Sequence, residues 1–530
     1  MEHGVGKLDS SRARDAIAPT DQSTRLYYIA TVFGTAIYLY LNLFVSGDIP
    51  FLLGGDQVYF WMFAQRLLHG EAVYRDFFQY TPPGTDLVYA AAFKIFGTRL
   101  WVPNAVVFAL GIAFSCVCFS LSRKLMKAPT AVLATALFQV LIYGKVLNAT
   151  NHWFAVLLVL TAVLICMDRV SIGRISTAGA FLGFAAFFNQ AHGGAALLGF
   201  STFLVCRSIR ARGAPMELFR LLACVAGAFT LTLLSCSMYF LATAGFAAVW
   251  YCLVTYVAHY SSQQLLTSLG LPGDLTLDTL PMLAPYLAIY ILLPGIYSLS
   301  LWQCWRLRKN TTFPWHKVAL LSSAGLSLLL EVAVSINWLR LFAVSLLGIV
   351  LAVRAIDKLP AIRRSAAIVA SIGVIGVAAH QIWAKRAVCT AQGELPAGRV
   401  ATLPQSLEKL RWLAAHTRRE DFFFQAGGQG VYLPLQLRNP LYLEGLDANR
   451  GDEMEFAIRQ MEARRVRYVL WTHALNMGCQ FDDCNDGLSP FRRHLMSSYT
   501  RVHIFEDGDV LWQRLEDDES VRRDGSSAKE

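Results

Sequence analysis

Long apolar runs separated by short polar segments occupy the chain from Leu26 to Ala384. A helix that crosses a bilayer needs about 20 mainly apolar residues. The segments that approach this are 26–45, 100–121, 128–146, 153–167, 176–190, 194–206, 221–242, 281–302, 317–335, 341–356 and 365–384. Beyond residue 384 the pattern changes. Leu403–His416 has helical spacing, Asp421–Gln425 reads as a strand, Asp452–Arg465 as a helix and Val466–Thr472 as a strand. Arg501–Ile504 and Val510–Arg514 flank Asp507-Gly508, a hairpin signal. The predicted fold is therefore a mainly α membrane protein, a polytopic bundle of about 11 transmembrane helices, followed by a small C-terminal α/β domain.

Composition supports this division. Apolar residues make up 55% of the chain and charged residues 16%, with mean hydropathy +0.42. Basic residues alternate along it. With the N-terminus in the cytoplasm, the inner segments hold 21 Lys and Arg, and the outer segments of the membrane half hold only Arg66, Arg75, Lys94, Arg99, Lys145 and Arg340. This asymmetry orients a multi-pass protein in the cell (inner) membrane, and it accounts for the formal net charge of +10 without nucleic-acid binding. The expected organisation is a cytoplasmic segment 1–25, a transmembrane domain 26–384, an external α/β domain 385–515 and a disordered tail 516–530. Residues 1–24 lack the apolar core of a cleavable leader. External loops are expected at 46–99 and 243–280, and residues 246–260 are aromatic enough to lie in the membrane interface. Asp48, Asp56, Glu71, Asp76, Asp86, Asp274 and Asp278 then gather outside. Most of the 11 cysteines sit in apolar spans, while Cys479 and Cys484 are spaced for a local disulfide in an oxidising compartment.

The first external loop carries the most informative stretch. Asp56 opens a helical run, Gln57–His69, which Gly70 would end. Asp56 has two readings: a plain helix N-cap, or a carboxylate held at the membrane surface for chemistry. Asp76 and Pro82-Pro83 follow. Taken together, Asp56, Tyr59, Ala64, Gly70, Tyr74, Asp76, Pro82, Pro83, Phe96 and Gly97 resemble the first external loop of the C-type-fold (GT-C) membrane glycosyltransferases that use polyprenyl-phosphate sugars, a group that includes protein O-mannosyltransferases, aminoarabinose transferases and galacturonosyltransferase-like bacterial proteins. The motif spans about residues 26–125. One position departs: several relatives follow the Asp with Glu, and here Gln57 stands there.

The resemblance implies external juxtamembrane helices and an inverting transfer of a sugar from a polyprenyl-phosphate donor to a lipid, glycan or protein acceptor at the bilayer surface. It makes Asp56 the general base. Tyr59, Tyr74, Arg75 and Asp76 become candidates for substrate binding. The leaving phosphate requires positive charge or donors, for which Arg340 is the first candidate and Arg66, Arg75 and Lys145 are others. His152 and His192 lie at outer span ends, in Asn151-His-Trp and Asn189-Gln-Ala-His. Each is a phosphate or sugar ligand, or a backbone-bonded structural histidine. Glu331 is costly inside a bilayer and marks function, unless its place near a span end lets it reach water. No ligand spacing supports a metal, and no nucleotide loop is present; the Gly427-Gly-Gln-Gly430 turn is a weak signal. Two other classes compete: a transporter or flippase of a lipid-linked saccharide, and a structural membrane protein whose external domain binds a partner.

Overall fold

The computed structural model describes residues 21–259, 280–334, 338–447, 453–476, 479–481 and 483–515. The expectations for most of the N-terminal segment, for the part of the second loop that holds Asp274 and Asp278, for Asn337 and for the 516–530 tail fall outside these residues.

Every apolar segment of the sequence overlaps a helix. By length and composition, five described helices can cross a membrane: Gln22–Leu43, Trp101–Arg123, Ala128–Val146, Pro215–Ala244 and Pro360–Val388. Shorter apolar helices run Asn151–Cys166 and Ile172–Phe188. Gln190–Ala211, Leu280–Arg306 and Trp315–Val334 complete the bundle of a multi-pass membrane protein. Proline opens several of these helices, at positions 215 and 360 among others, where its missing N–H costs nothing.

Two helices differ from their simple expectation. Within 128–146, the residues Phe138–Tyr143 adopt a π-helical turn, a widening often found at functional sites. Gln139 spans the wider turn and donates to the Gly111 carbonyl of the neighbouring helix at 2.8 Å. The expected span 341–356 is two helices, Trp338–Val344 and Leu346–Asp357. The break places Arg340 on a short separate piece.

Close packing in a bilayer rests on small residues, because lipid removes the hydrophobic drive between helices. Gly199 shows it. A Cβ there would overlap Ser327 Oγ and come within 2.9 Å of the Ser323 carbonyl. Helix Gln190–Ala211 therefore lies directly on Trp315–Val334, and His192 and Glu331 near their ends come into reach of each other.

The first long loop is structured. Strands β1 (Phe44–Ser46) and β2 (Ile49–Pro50) pair antiparallel. Helix Gln57–Leu68 follows, then helix Gly84–Phe96. Gly70 at φ +84° turns the chain out of the first of these, at the expected residue. In the second loop, residues 246–255 are helical and expose Phe246, Trp250 and Tyr251, as an interfacial segment does.

The C-terminal region holds a four-stranded mixed sheet. Its strands are β5 (Phe423–Gln425), β6 (Tyr468–Trp471), β7 (Tyr499–Ile504) and β8 (Val510–Arg514), in spatial order β5-β6-β8-β7. Only the β5/β6 pair is parallel. The expected helices appear at Pro404–His416 and Met454–Ala463. A hairpin of β3 (Ala391–Leu395) and β4 (Gly398–Thr402) and a helix, Ser489–Ser498, were not anticipated. Cys479 and Cys484 are joined as a disulfide.

This region is fastened to the first loop. Leu52 N–H donates to the Ala401 carbonyl at 2.8 Å, and Phe78 N–H to the Tyr442 carbonyl at 2.8 Å. Arg66 is the centre of the clamp. Its side chain, 4% exposed, meets Glu71 at 2.6 Å and donates to the carbonyls of Leu441 at 2.7 Å and Asp76 at 3.1 Å. Arg438 reaches the other Glu71 oxygen at 3.3 Å. Without Arg66, Glu71 keeps Arg438, but the Leu441 and Asp76 carbonyls lose their donor, and a buried acceptor left unsatisfied costs about 1–3 kcal/mol. Arg66→Met is therefore expected to loosen the C-terminal region from the loop. Thermal melting in detergent and limited proteolysis measure it; unchanged melting and cleavage would show that Arg66 is not the clamp.

Candidate active site

Asp56 stands immediately before helix Gln57–Leu68, at φ −58° and ψ −20°, and its side chain makes no capping hydrogen bond. Of its two readings from sequence, the side-chain capping bond of a plain N-cap is thus not made. Its own surface is exposed. Protein nevertheless crowds it on most sides, and this dehydration pushes its pKa above the ordinary Asp range, with the positive charge of Arg340 opposing the rise. Asp56 is both reachable and poorly hydrated, the setting that tunes a carboxylate toward general-base work.

Gln57 explains why the neighbouring position here is not acidic. It is buried, its amide donates to the Gly54 carbonyl at 3.0 Å, and its oxygen accepts from Ala149 N–H at 3.4 Å. Both ends of this side chain are therefore bonded to backbone. It ties the start of the Asp56 helix to the segment that leads into helix Asn151–Cys166, whose second residue is His152.

One asparagine joins the two histidines. Asn189 caps helix Gln190–Ala211, with Oδ1 accepting from His192 N–H at 3.1 Å. Its amide nitrogen lies 3.3 Å from His152 Nδ1. The two imidazole rings are 5.1 Å apart between centroids. Glu331 Oε2 is 3.6 Å from His192 Nδ1, and Glu331 Oε1 is 3.4 Å from Arg340 Nη1. Glu331 is 7% exposed, so the alternative that it simply reaches water is not realised. His152, His192 and Glu331 each offer one ligand atom, all within 4.8 Å of one another. The ligands stand on three helices far apart in sequence, which is why no spacing revealed them.

Tyr59 sits one helical turn from Asp56. Burial first, then the charges of Glu444, Asp56 and Asp447, push its hydroxyl up to about 12, with the nearby Gln429 opposing the rise. Gln429, Glu444 and Asp447 come from the C-terminal region and were not anticipated as site residues. The signal for Gln429 was its Gly427-Gly-Gln-Gly430 turn, which bends the chain toward the loop; Gln429 in turn donates to the Glu444 carbonyl at 2.6 Å.

The structure gathers Asp56, Tyr59, His152, His192, Glu331 and Arg340 at one end of the bundle. Lys145 approaches the same short helix as Arg340, with its amine 5.7 Å from the Phe342 ring centre. Tyr74, Arg75 and Asp76 are employed differently. Tyr74 is 2% exposed at φ +69°, and its hydroxyl donates to the Thr81 carbonyl at 3.1 Å. Asp76 accepts from Ala72 N–H at 2.7 Å and pairs with Arg75 at 2.8 Å; that hydrogen-bonded pairing holds its pKa below the usual range. Their contacts lie within the loop turn, and Tyr74 also meets the C-terminal region, its carbonyl accepting from the Tyr442 hydroxyl at 3.0 Å. Arg66, in the clamp, is likewise committed elsewhere.

No family model and no curated protein sequence matches the chain. Solved structures do. ArnT from Cupriavidus metallidurans, bound to undecaprenyl phosphate, superposes with TM-score 0.58 at 12% identity, over 93% of this chain and 98% of that one. The archaeal oligosaccharyltransferase AglB from Archaeoglobus fulgidus, in complex with an inhibitory peptide and a dolichol-phosphate, superposes with TM-score 0.51 at 12% identity, over 94% of this chain and 75% of that one. At these identities what is shared is architecture, and it covers most of this chain. The chain has the fold of the GT-C membrane glycosyltransferases.

Proposed function

We propose that this protein is an inverting glycosyltransferase that moves a sugar from a polyprenyl-phosphate donor to a lipid, glycan or protein acceptor at the external face of the membrane. The observation that carries the reading is Asp56: a loop carboxylate at a helix start that caps nothing, is raised in pKa by dehydration, and faces the charge of Arg340. The acceptor hydroxyl attacks the anomeric carbon, and Asp56 takes its proton. The bond from that carbon to the phosphate oxygen breaks, and the electron pair leaves with polyprenyl phosphate. Arg340, with Lys145 nearby, offsets the charge that develops there. Tyr59 and the His152 and His192 edge line the space between base and cation. The GT-C fold and the polyprenyl phosphates bound by ArnT and AglB favour a lipid-linked donor.

Eleven spans with the N-terminus inside fit both the helices and the 21-to-six distribution of basic residues. The Cys479–Cys484 disulfide agrees with an oxidising compartment for residues 385–515. That domain brings Gln429, Glu444 and Asp447 near Tyr59, which supports a part for it in the site.

The test separates an enzyme from a carrier. Membranes holding the full-length protein are supplied with a panel of labelled undecaprenyl-phosphate sugars, and the same protein is reconstituted into liposomes loaded with fluorescent lipid-linked saccharide. Label moving to an endogenous acceptor, with release of undecaprenyl phosphate, is expected. Translocation of the lipid without transfer from any donor would make the protein a flippase.

A further inference from the structure

We propose that His152, His192 and Glu331 form a binding site for a divalent transition-metal ion of the zinc class. The first support is a deficit in the protein's own hydrogen bonding. His192 is fully buried, and neither ring nitrogen has a hydrogen-bond partner; Glu331 Oε2 is buried and equally unpartnered. Buried polar atoms are rarely left so, because each forfeits its hydration without return. One of these nitrogens, Nδ1, stands 3.6 Å from that oxygen, and His152 brings a further ring nitrogen into the same group.

The second support is donor chemistry. Two imidazole nitrogens and one carboxylate oxygen are the ligand set that suits zinc and its neighbours, and not the all-oxygen shell that magnesium and calcium prefer. Tetrahedral ligands at about 2.1 Å from a metal stand about 3.4 Å from one another. The His192 Nδ1 to Glu331 Oε2 separation of 3.6 Å already meets that spacing, and the whole set lies within 4.8 Å, a distance that small rotamer adjustments close.

Supporting contacts are in place around the ligands. Glu331 divides its oxygens, Oε1 toward Arg340 and Oε2 toward the site. Asn189 holds the backbone of His192 and stands 3.3 Å from His152 Nδ1, a contact too long to fix that ring's tautomer strongly. The site itself stands whether or not Asp56 is the base, and its test needs no sugar donor.

Full-length protein in detergent is stripped with a chelator, dialysed against micromolar zinc sulfate, and analysed by plasma mass spectrometry. The wild type is expected to retain about one zinc per chain. His192→Gln and Glu331→Gln are expected to lose it, whereas His416→Gln, at an exposed position of the C-terminal region, keeps it. Cobalt(II) loaded into the wild type should give the visible d–d absorption of a low-coordinate nitrogen–oxygen site, a readout that does not depend on any variant folding. A wild type that retains no zinc and gives no cobalt band overturns the proposal. So does a folded His192→Gln that still retains the metal, or a wild type that retains only magnesium or calcium.

Discussion

Asp56→Asn is expected to reduce sugar transfer by about 10²–10⁴-fold, the usual contribution of a positioned general base, with the protein still folded. The two halves of this expectation have separate origins. Asparagine keeps the shape of the side chain but cannot take a proton from the acceptor hydroxyl. Stability is spared because Asp56 makes no capping hydrogen bond to lose; a true N-cap would cost about 1 kcal/mol. Asn removes a dehydrated carboxylate, which if anything relieves the folded state. Turnover with labelled donor in membranes, beside a melting curve in detergent, reads both. Transfer at the wild-type rate would remove Asp56 from the chemistry. A collapse in melting temperature would mean that the carboxylate is structural.

The second large effect is expected at Arg340. Arg340→Gln should lower kcat by about 10²–10³, the scale of losing one preorganised donor to a developing anion. Arg340→Lys should recover part of that, since it retains the charge but not the planar fork. Glu331 makes the case specific. It holds Arg340 from 3.4 Å on a short helix separated from its neighbour at Ser345, so Glu331→Gln should resemble a weaker Arg340 variant through loss of positioning. Initial rates at saturating donor distinguish these. Equal rates for wild type and Arg340→Gln would leave the phosphate to other groups, Lys145 first.

Much of this architecture was legible in the chain. The apolar segments mark the helices because span length is set by the bilayer and not by contacts elsewhere. Asp56 and Arg340 stood out because charge is scarce in the membrane half. What was not legible depends on how helices meet. The convergence of His152, His192 and Glu331 rests on the close contact at Gly199 between helices distant in sequence, which is not a local pattern. The π turn at Phe138–Tyr143 leaves no mark in hydropathy. Tyr74 and Asp76 resembled substrate ligands in sequence, yet the turn they form faces Tyr442, whose hydroxyl donates to the Tyr74 carbonyl at 3.0 Å. The wall of Gln429, Glu444 and Asp447 belongs to a region that looked like an accessory, and that region is fastened to the first loop by contacts distant in sequence, the Arg66 clamp among them.

The pairing of a dehydrated Asp56 with the charge of Arg340 is the centre of the proposed mechanism, and it can be read from pH. Asp56 acts only when ionised, so kcat/KM falls as pH drops through its pKa. Burial raises that pKa above the usual carboxylate range and Arg340 pulls it down. Removing the positive charge removes the pull and raises the pKa further. The acid limb of the kcat/KM profile should therefore lie above the pH of an ordinary Asp in the wild type and move to still higher pH in Arg340→Gln. An acid limb that stays in place, or moves to lower pH, would contradict the assignment of Asp56 as the base beside Arg340.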